Sequence, residues 1–152
     1  MIYVEALDKP VDPNAWCLFL AGGITDCPDW QAELVDMLKD TGLTLLNPRR
    51  KNFPIHDHLA AHEQITWEHE MLKRANAISF WFPKETLCPI VLYELGAWSV
   101  QPKQIFVGAE KGYKRLQDVR IQTSLARPSV HITESLDLLQ AQIKDWCDRC
   151  TA

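Results

Sequence analysis

Two glutamates lie in stretches of the sequence that are otherwise apolar. Glu94 is the one charged residue in the segment PIVLYELGAWSV, and Glu68 projects from the middle of a helical stripe. The apolar members of that stripe are Ala61, Ile65, Leu72 and Ala75, with Gln64 and Met71 at its flank. A carboxylate on an inner face must be paired, hydrogen-bonded or protonated, and each of these conditions changes its pKa. Because perturbed acids are common at active sites, both glutamates are candidate catalytic residues.

Paired carboxylates suit a small number of reactions. One ionised acid that attacks or stabilises a cation, together with one acid that manages protons, can cleave a glycosidic bond through an oxocarbenium-like transition state. Aspartic-type hydrolysis and metal binding also use paired acids, but the sequence lacks the clustered Asp and Glu of a metal site and an Asp-Thr/Ser-Gly setting. The structural alternative is a buried glutamate that is satisfied by Tyr, Trp or backbone donors.

The elements that must position these acids follow from the hydrophobic periodicity. Short apolar segments of strand length alternate with helix-like segments from Cys17 onward, which indicates βαβ units around a parallel sheet. The predicted strands span residues 17–20, 43–46, 77–82, 104–107 and 129–132. We therefore predict an α/β fold with a doubly wound, five-stranded parallel sheet in three layers, formed by a single domain over residues 1–152.

Helices are predicted between these strands. The first begins near Asp26 and Pro28 and ends at Thr41-Gly42, and its apolar stripe is Trp30, Leu34, Met37 and Leu38. Later helices are predicted over residues 57–75, 89–101, 116–125 and 134–147. Glu94 then falls in the second turn of a helix begun by Pro89, directly after a strand. Gly96, a poor helix former, indicates close packing or close approach of a ligand at this helix.

Residues that follow strands are candidates for binding, because ligands of a doubly wound sheet lie outside the carboxyl ends of its strands. Gly22 and Gly23 after the first predicted strand would let the backbone approach a ligand, although a glycine pair also serves as a plain turn. Asn47 and Arg49 after the second could reach hydroxyls, a phosphate or a carboxylate. The alternative for this second segment is a solvated basic loop.

Composition limits the class of partner. No apolar run approaches the roughly 20 residues that a membrane span needs, so we expect a soluble protein without a membrane partner. The five cysteines are scattered and the N-terminus lacks the pattern of a secretory signal, which favours reduced thiols and a cytoplasmic location. A formal net charge of −4 disfavours a nucleic-acid polymer as partner. A small molecule is the expected ligand.

Two pairs of residues have the spacing of metal ligands, but neither pair is enough to predict a metal site. Cys147 and Cys150 form a lone C-x-x-C, and structural zinc would need two more ligands. His58 and His62 have an i, i+4 spacing, but histidines on an exposed helix face are commoner than metal ligands. We expect neither a metal nor a cofactor.

The chain contains, in this order, the segments LFLAGGITDCPDWQ, LLNPRR, ITWEHEMLKRANAISFWFP and YELGAW. Together they resemble the nucleoside 2-deoxyribosyltransferase-like family, particularly its short bacterial and phage branch, and the similarity extends from Cys17 to about Ile143. The resemblance implies a flavodoxin-like sheet and a nucleoside or nucleotide substrate. It also implies a homo-oligomer in which neighbouring subunits help to close the site.

The resemblance also implies roles for individual residues. Glu94 of the E-L-G motif is the nucleophile that attacks the anomeric carbon, and Glu68, where many members have Asp, positions base and sugar or assists protonation. The implied mechanism is double displacement through a covalent glycosyl-enzyme ester that a second base or water resolves. The turn of residues 22–24, which includes Ile24, lies over the nucleoside. Trp30 and Trp81 could stack on the base, and core packing explains them equally well.

One position departs from the family pattern. Well-studied members carry an Asp several residues before the nucleophile, and here Cys88 stands at about that place, with Glu85 as the nearest acid. The departure leaves transfer, hydrolysis and a non-catalytic nucleotide-binding or sensor module as open alternatives. Some relatives are nucleotide N-glycosidases that read a 5′-phosphate, for which Arg49 or Arg50 is the candidate here. Another N-glycoside, such as a nicotinamide nucleotide, is a further possibility.

Overall fold

A computed structural model describes residues 1–8, 12–54 and 56–151 of the chain. Six parallel strands form one sheet in the order β1-β3-β2-β4-β5-β6. The strands are β1 (Ile2–Glu5), β2 (Cys17–Gly22), β3 (Thr44–Asn47), β4 (Ala77–Phe82), β5 (Gln104–Ala109) and β6 (Ile132–Thr133). The helices are α1 (Trp30–Met37), α2 (His58–Arg74), α3 (Pro89–Ser99), α4 (Leu116–Ala126) and α5 (Leu136–Thr151).

The sheet is covered by helices on both faces. One apolar cluster joins the sheet to residues of α2, α3 and α4, and a second joins its other face to α1 and α5. Strand β4 is buried at every position, as expected for a parallel strand between two helical layers. The structure confirms the predicted three-layer, doubly wound α/β architecture, and β3-β2-β4-β5-β6 has the flavodoxin-like order.

The chain changes direction between β2 and β4. The connection after β2 runs through α1 to β3 on one side, whereas the connection after β4 runs through α3 to β5 on the other. Because the two connections diverge, they leave a crevice at the carboxyl ends of these two paired strands. The fold therefore places a ligand crevice next to Gly22 and to the N-terminus of α3.

The sheet has six strands, so the predicted number of five is wrong. The missing strand is β1, which pairs with β3 at the edge of the sheet. Ile2 and Tyr3 of this strand are 46% and 41% exposed. Half of the side chains of this four-residue edge strand are exposed, so it lacks the complete burial that marks the inner strands β2, β3 and β4.

The first helix begins later than Asp26 and Pro28. Asp29 is its N-cap and accepts a hydrogen bond from the backbone N–H of Ala32 at 3.1 Å. Asp26 instead has a positive φ of 56°, a left-handed conformation that belongs to the loop before the helix. The helix also ends at Met37, ahead of the predicted Thr41-Gly42 stop.

The buried face of α2 is rotated from the predicted stripe. Ala61 and Ile65 are exposed, Ile65 by 64%, and the sheet is instead covered by the set Ala60, Gln64, Trp67, Met71 and Leu72. Trp67 sets the rotation because its ring packs on Phe19 of β2, with ring centroids 6.2 Å apart. Glu68 consequently lies at the edge of the buried face, half-buried, and not at its centre.

Among the described helices, none is long and apolar enough to cross a membrane.

Candidate active site

A large cavity lies between α2 and α3, above the sheet. Its volume is about 1070 Å³. Phe19 and Ala21 of β2 line it from the sheet, and residues 22–25 line it at the carboxyl end of that strand. The cavity therefore occupies the crevice at which the β2 and β4 connections diverge.

Both glutamates singled out in the sequence line this one cavity. Glu68 projects from α2 and Glu94 from α3, and each is half-buried. One turn along each helix, further side chains reach the same cavity because residues three and four apart share a helix face. These are Gln64, Ile65 and Leu72 on α2, and Ile90, Val91, Ala97 and Trp98 on α3. The two acids thus stand in an otherwise mainly apolar enclosure.

Burial raises the pKa of both glutamates. Burial, and then the negative charge of Glu68, raises the pKa of Glu94 to about 7. Burial also raises the pKa of Glu68, while a hydrogen bond donated by Gln64 lowers it. Near neutral pH, Glu94 is consequently divided between its acid and its carboxylate form, a state suited to proton exchange or nucleophilic attack.

The start of α3 is built around Cys88. Pro89 occupies the first turn, and Cys88, the N-cap, has a positive φ of 50° without a side-chain capping bond. Cys88 is buried and lines the cavity next to Gly23. Burial, and then the nearby Cys27, raises the pKa of the Cys88 thiol to about 12. The thiol is therefore neutral and supplies no negative charge to the cavity.

The turn after β2 is held from below by side chains of α1. Trp30 donates its indole Nε1–H to the carbonyl oxygen of Gly23 at 2.8 Å, and Gln31 donates to the same oxygen at 3.4 Å. Gly22 and Gly23 have neighbours where a side chain would begin, so only glycine fits both positions. Gly22, Gly23 and Ile24 line the cavity.

Arg49 does not line the cavity. Its guanidinium donates to the carbonyl oxygens of Pro28 at 2.9 Å and Cys27 at 3.1 Å, and to Oε1 of Gln31 at 3.1 Å. These contacts tie the end of β3 to the loop before α1. The guanidinium is thus committed to the architecture of the β2–α1 loop, which differs from the predicted contact with a ligand.

Three further predicted contact residues also lie away from the cavity. Asn47 is buried, donates to the hydroxyl of Tyr3 at 3.0 Å and accepts from the backbone N–H of Arg49 at 2.9 Å. Trp81 packs in the cluster beneath α1 and α5, on the opposite face of the sheet from α3. Trp30 packs in the same cluster. Core packing accounts for both tryptophans, since neither ring reaches the cavity that holds the two acids.

Several lining residues were not predicted, and Tyr93, Thr86 and Phe53 are examples. Ile90, Val91, Ala97 and Trp98 carry a signal that Glu94 supplies, because side chains three or four positions apart on a helix face the same way. Tyr93 is adjacent to Glu94 and carries no such signal. Phe53 and Thr86 belong to loops, where no periodicity exists to find them.

The described residues include no group of three or more His, Cys, Asp or Glu side chains that could hold a metal ion. Polar groups of the cavity wall include the two carboxyls, the amide of Gln64, the hydroxyls of Thr25 and Thr86, and the neutral thiol of Cys88. Such a set can bind hydroxyls and ring N–H groups and can stabilise a cation between the two acids.

A family model described as "Nucleoside 2-deoxyribosyltransferase like" matches residues 16–113, about two-thirds of the chain. Every residue that lines the cavity falls within this match. No curated protein matches the chain.

Proposed function

Since the chain belongs to the nucleoside 2-deoxyribosyltransferase-like family, we propose that it cleaves the N-glycosidic bond of a nucleoside or nucleotide and transfers the sugar to a second base or to water. One observation carries the proposal. Glu68 and Glu94 reach one cavity from two different helices, at the crevice where a doubly wound sheet binds its ligands.

Glu94 is the proposed nucleophile. Its ionised carboxylate attacks the anomeric carbon, a C–O ester bond forms, and the C–N bond breaks with its electron pair leaving on the base nitrogen. The departing base takes up a proton from Glu68 or from water. In the second step a new base or water attacks the same carbon and gives its proton to Glu68 or to water, the ester bond breaks, and the Glu94 carboxylate is restored.

Glu68 is the proposed partner acid. The Cys88 thiol is held neutral by its burial, with a pKa raised to about 12, and is too weak an acid to protonate a leaving base. Glu68 is then the second carboxyl that can hold a sugar hydroxyl, orient the base or pass on a proton. Gly22, Gly23, Ile24 and Cys88 are the proposed contacts with the substrate.

Arg50 is a better candidate than Arg49 for reading a 5′-phosphate. Its Nη1 atom is buried without a hydrogen-bond partner among the described residues, and its guanidinium carbon lies 5.4 Å from the centre of the Phe53 ring. Phe53 lines the cavity, which places Arg50 just behind the cavity wall. A nucleotide would supply the anionic oxygens that a guanidinium binds best.

Incubation with a panel of substrates tests the proposal. The panel contains ribo- and deoxynucleosides, their 5′-monophosphates and a nicotinamide nucleotide, each with and without a second free base. Chromatography would then show base exchange for a transferase and base release for a hydrolase. A panel without any product would contradict the proposed activity.

The second candidate function is a nucleotide-binding or sensor module without turnover. The neutral Cys88 at the place of a family acid favours it. Stabilisation of the protein by a nucleotide in a thermal shift experiment, with no product after long incubation, would decide for this function.

The rate is expected to rise with pH through about 7. Glu94 attacks only as a carboxylate, and burial and the charge of Glu68 raise its pKa to about 7. The value of kcat/KM should therefore increase about tenfold per pH unit below 7 and level off above it. In Glu68→Gln the like charge is gone, so the pKa of Glu94 falls and the rising limb moves to lower pH. A limb that stays in place in this variant would contradict the coupling.

A second copy of the chain is the proposed cover of the cavity. Helix α3 is apolar around most of its circumference, a property of helices that are buried on all sides. Yet Ile90 and Tyr93 of this helix and its C-cap, Val100, are 64%, 78% and 68% exposed. Burying these side chains against a neighbouring subunit would also close the open side of the cavity.

Analytical ultracentrifugation is expected to show a dimer or a larger oligomer. Tyr93→Asp places a charge on the α3 face and should shift the protein toward monomer by at least tenfold in the dissociation constant, because a buried charge opposes association. Leu138→Asp on α5, which is 56% exposed on the other side of the sheet, is the matched control and should leave the oligomer intact. A wild-type protein that sediments as a monomer at all concentrations would overturn the proposal.

A further inference from the structure

Gln64 stands behind Glu68 in the wall of the cavity. The two residues are one turn apart on α2, and Gln64 is only 9% exposed. Its amide nitrogen Nε2 donates to Oε1 of Glu68 at 2.7 Å and to the carbonyl oxygen of Pro48 at 2.8 Å. Gln64 therefore links the loop after β3 to one of the two cavity acids.

The amide has a single possible orientation. Its two hydrogens are both used, one on each acceptor, and turning the amide over would place its oxygen against two other oxygens. The remaining oxygen, Oε1, is buried and has no hydrogen-bond partner among the described residues. The structure thus tolerates an unsatisfied acceptor so that both donor contacts are kept.

We propose that Gln64 is a positioning residue that holds Glu68 in one orientation, with Oε1 of Glu68 engaged and its second carboxylate oxygen left for the ligand and for Glu94. The contact with Pro48 is the anchor, because it fixes Gln64 to the chain outside its own helix. The catalytic consequence rests on the proposed function, whereas the effect on Glu68 itself does not.

The same contact favours the charged form of Glu68. Burial raises the pKa of this carboxyl, and the N–H donated by Gln64 opposes that rise. The other titratable groups that line the cavity are Glu94, Tyr93 and Cys88 from the α3 side and His69 and Lys73 from α2 itself. Without Gln64, Glu68 would bind its proton more tightly and repel the Glu94 carboxylate less.

Carboxyl titration by ¹³C NMR tests the inference without any need for turnover. In Gln64→Met, which keeps the length of the side chain and removes both donors, the midpoint of Glu68 should rise by about one pH unit. Gln122→Met, at an exposed position of α4, is the control and should leave both glutamates unchanged. A folded Gln64→Met protein in which Glu68 titrates as in the wild type would overturn the proposal.

A second variant keeps the test decisive if Gln64→Met does not fold. Gln64→Asn retains an amide that is too short to reach Pro48 and Glu68 together, and it should produce an upward shift of the Glu68 midpoint as well. An unchanged midpoint there would equally contradict the role of Gln64.

Activity separates positioning from general structural damage. Gln64→Met should lower kcat about 10²-fold with a smaller change in KM, because a misplaced acid affects the reacting geometry more than binding. In a Glu68→Ala background the same substitution should have no further effect, since its partner is absent. A shifted Glu68 midpoint without base release in any variant would contradict the proposed function and leave the positioning role standing.

Discussion

Glu94→Gln is expected to lower the rate of base release or exchange by about 10⁴-fold or more. Glutamine has nearly the same shape but cannot form the ester through which the proposed reaction runs, and removal of a nucleophile has effects of this order. The measurement is kcat/KM on whichever substrate of the panel is turned over fastest. Circular dichroism of the variant should match the wild type. Its thermal stability near neutral pH should equal or exceed that of the wild type, since the substitution removes a buried carboxyl whose charged form is disfavoured by burial.

Glu70→Gln is the matched control for this experiment. Glu70 lies on α2 two residues after Glu68, but it is exposed, so the same chemical change is made outside the cavity. The control should retain full activity. Glu94→Gln with activity within tenfold of the wild type would show that Glu94 is not the nucleophile, whatever the protein catalyses.

Gly22→Ala is expected to lower the free energy of unfolding by about 3 kcal/mol, the upper end of the usual range for overpacking. An added Cβ would lie 2.2 Å from Cζ2 of Trp30 and 2.6 Å from the carbonyl oxygen of Trp81. The first atom belongs to a ring that is packed in the core, and the second is backbone of the neighbouring strand. Neither can move far without opening β2 from β4. Denaturant titration measures the loss.

Gly96→Ala is the matched control for stability. An added Cβ at Gly96 meets no heavy atom within 4 Å, and the residue is an exposed position of α3. Alanine there should raise the free energy of unfolding by up to about 1 kcal/mol through its higher helix propensity. Equal effects of the two substitutions would contradict the packing described around Gly22. The sequence predicted close packing or close approach of a ligand at Gly96. Close packing within this chain is wrong, because no described atom lies within 4 Å of the added Cβ.

Local sequence patterns predicted most of the helices and strands near the site. Strand β4 matches its predicted range, and α2 and α3 begin within one residue of theirs, because Asp57 and Pro89 are strong helix-start residues. Local patterns did not predict the exposed edge strand β1 or the rotation of α2. Both depend on which neighbour covers a surface, and local periodicity does not record that.

The structure places four of the eight predicted binding residues at the cavity and the other four elsewhere. Gly22, Gly23, Ile24 and Cys88 line the cavity, whereas Trp30, Asn47, Arg49 and Trp81 do not. All eight lie at or near the end of a strand or the start of a helix close to the crevice. Whether a side chain reaches the cavity depends, however, on its contacts with residues distant in the chain. Asn47 is held by Tyr3, and Arg49 is held by Gln31.

The amino-acid sequence by itself determined the family, the parallel α/β architecture and the two acids in apolar surroundings. Each of these is a matter of residue order and spacing within a few turns or strands. Only the tertiary structure decided that Glu68 and Glu94 share one cavity, that Arg49 is committed to a loop, and that Gln64 is tied to the carbonyl oxygen of Pro48. The physical reason is that a hydrogen bond or a shared cavity requires two elements to meet, and helix and strand periods describe only one element at a time.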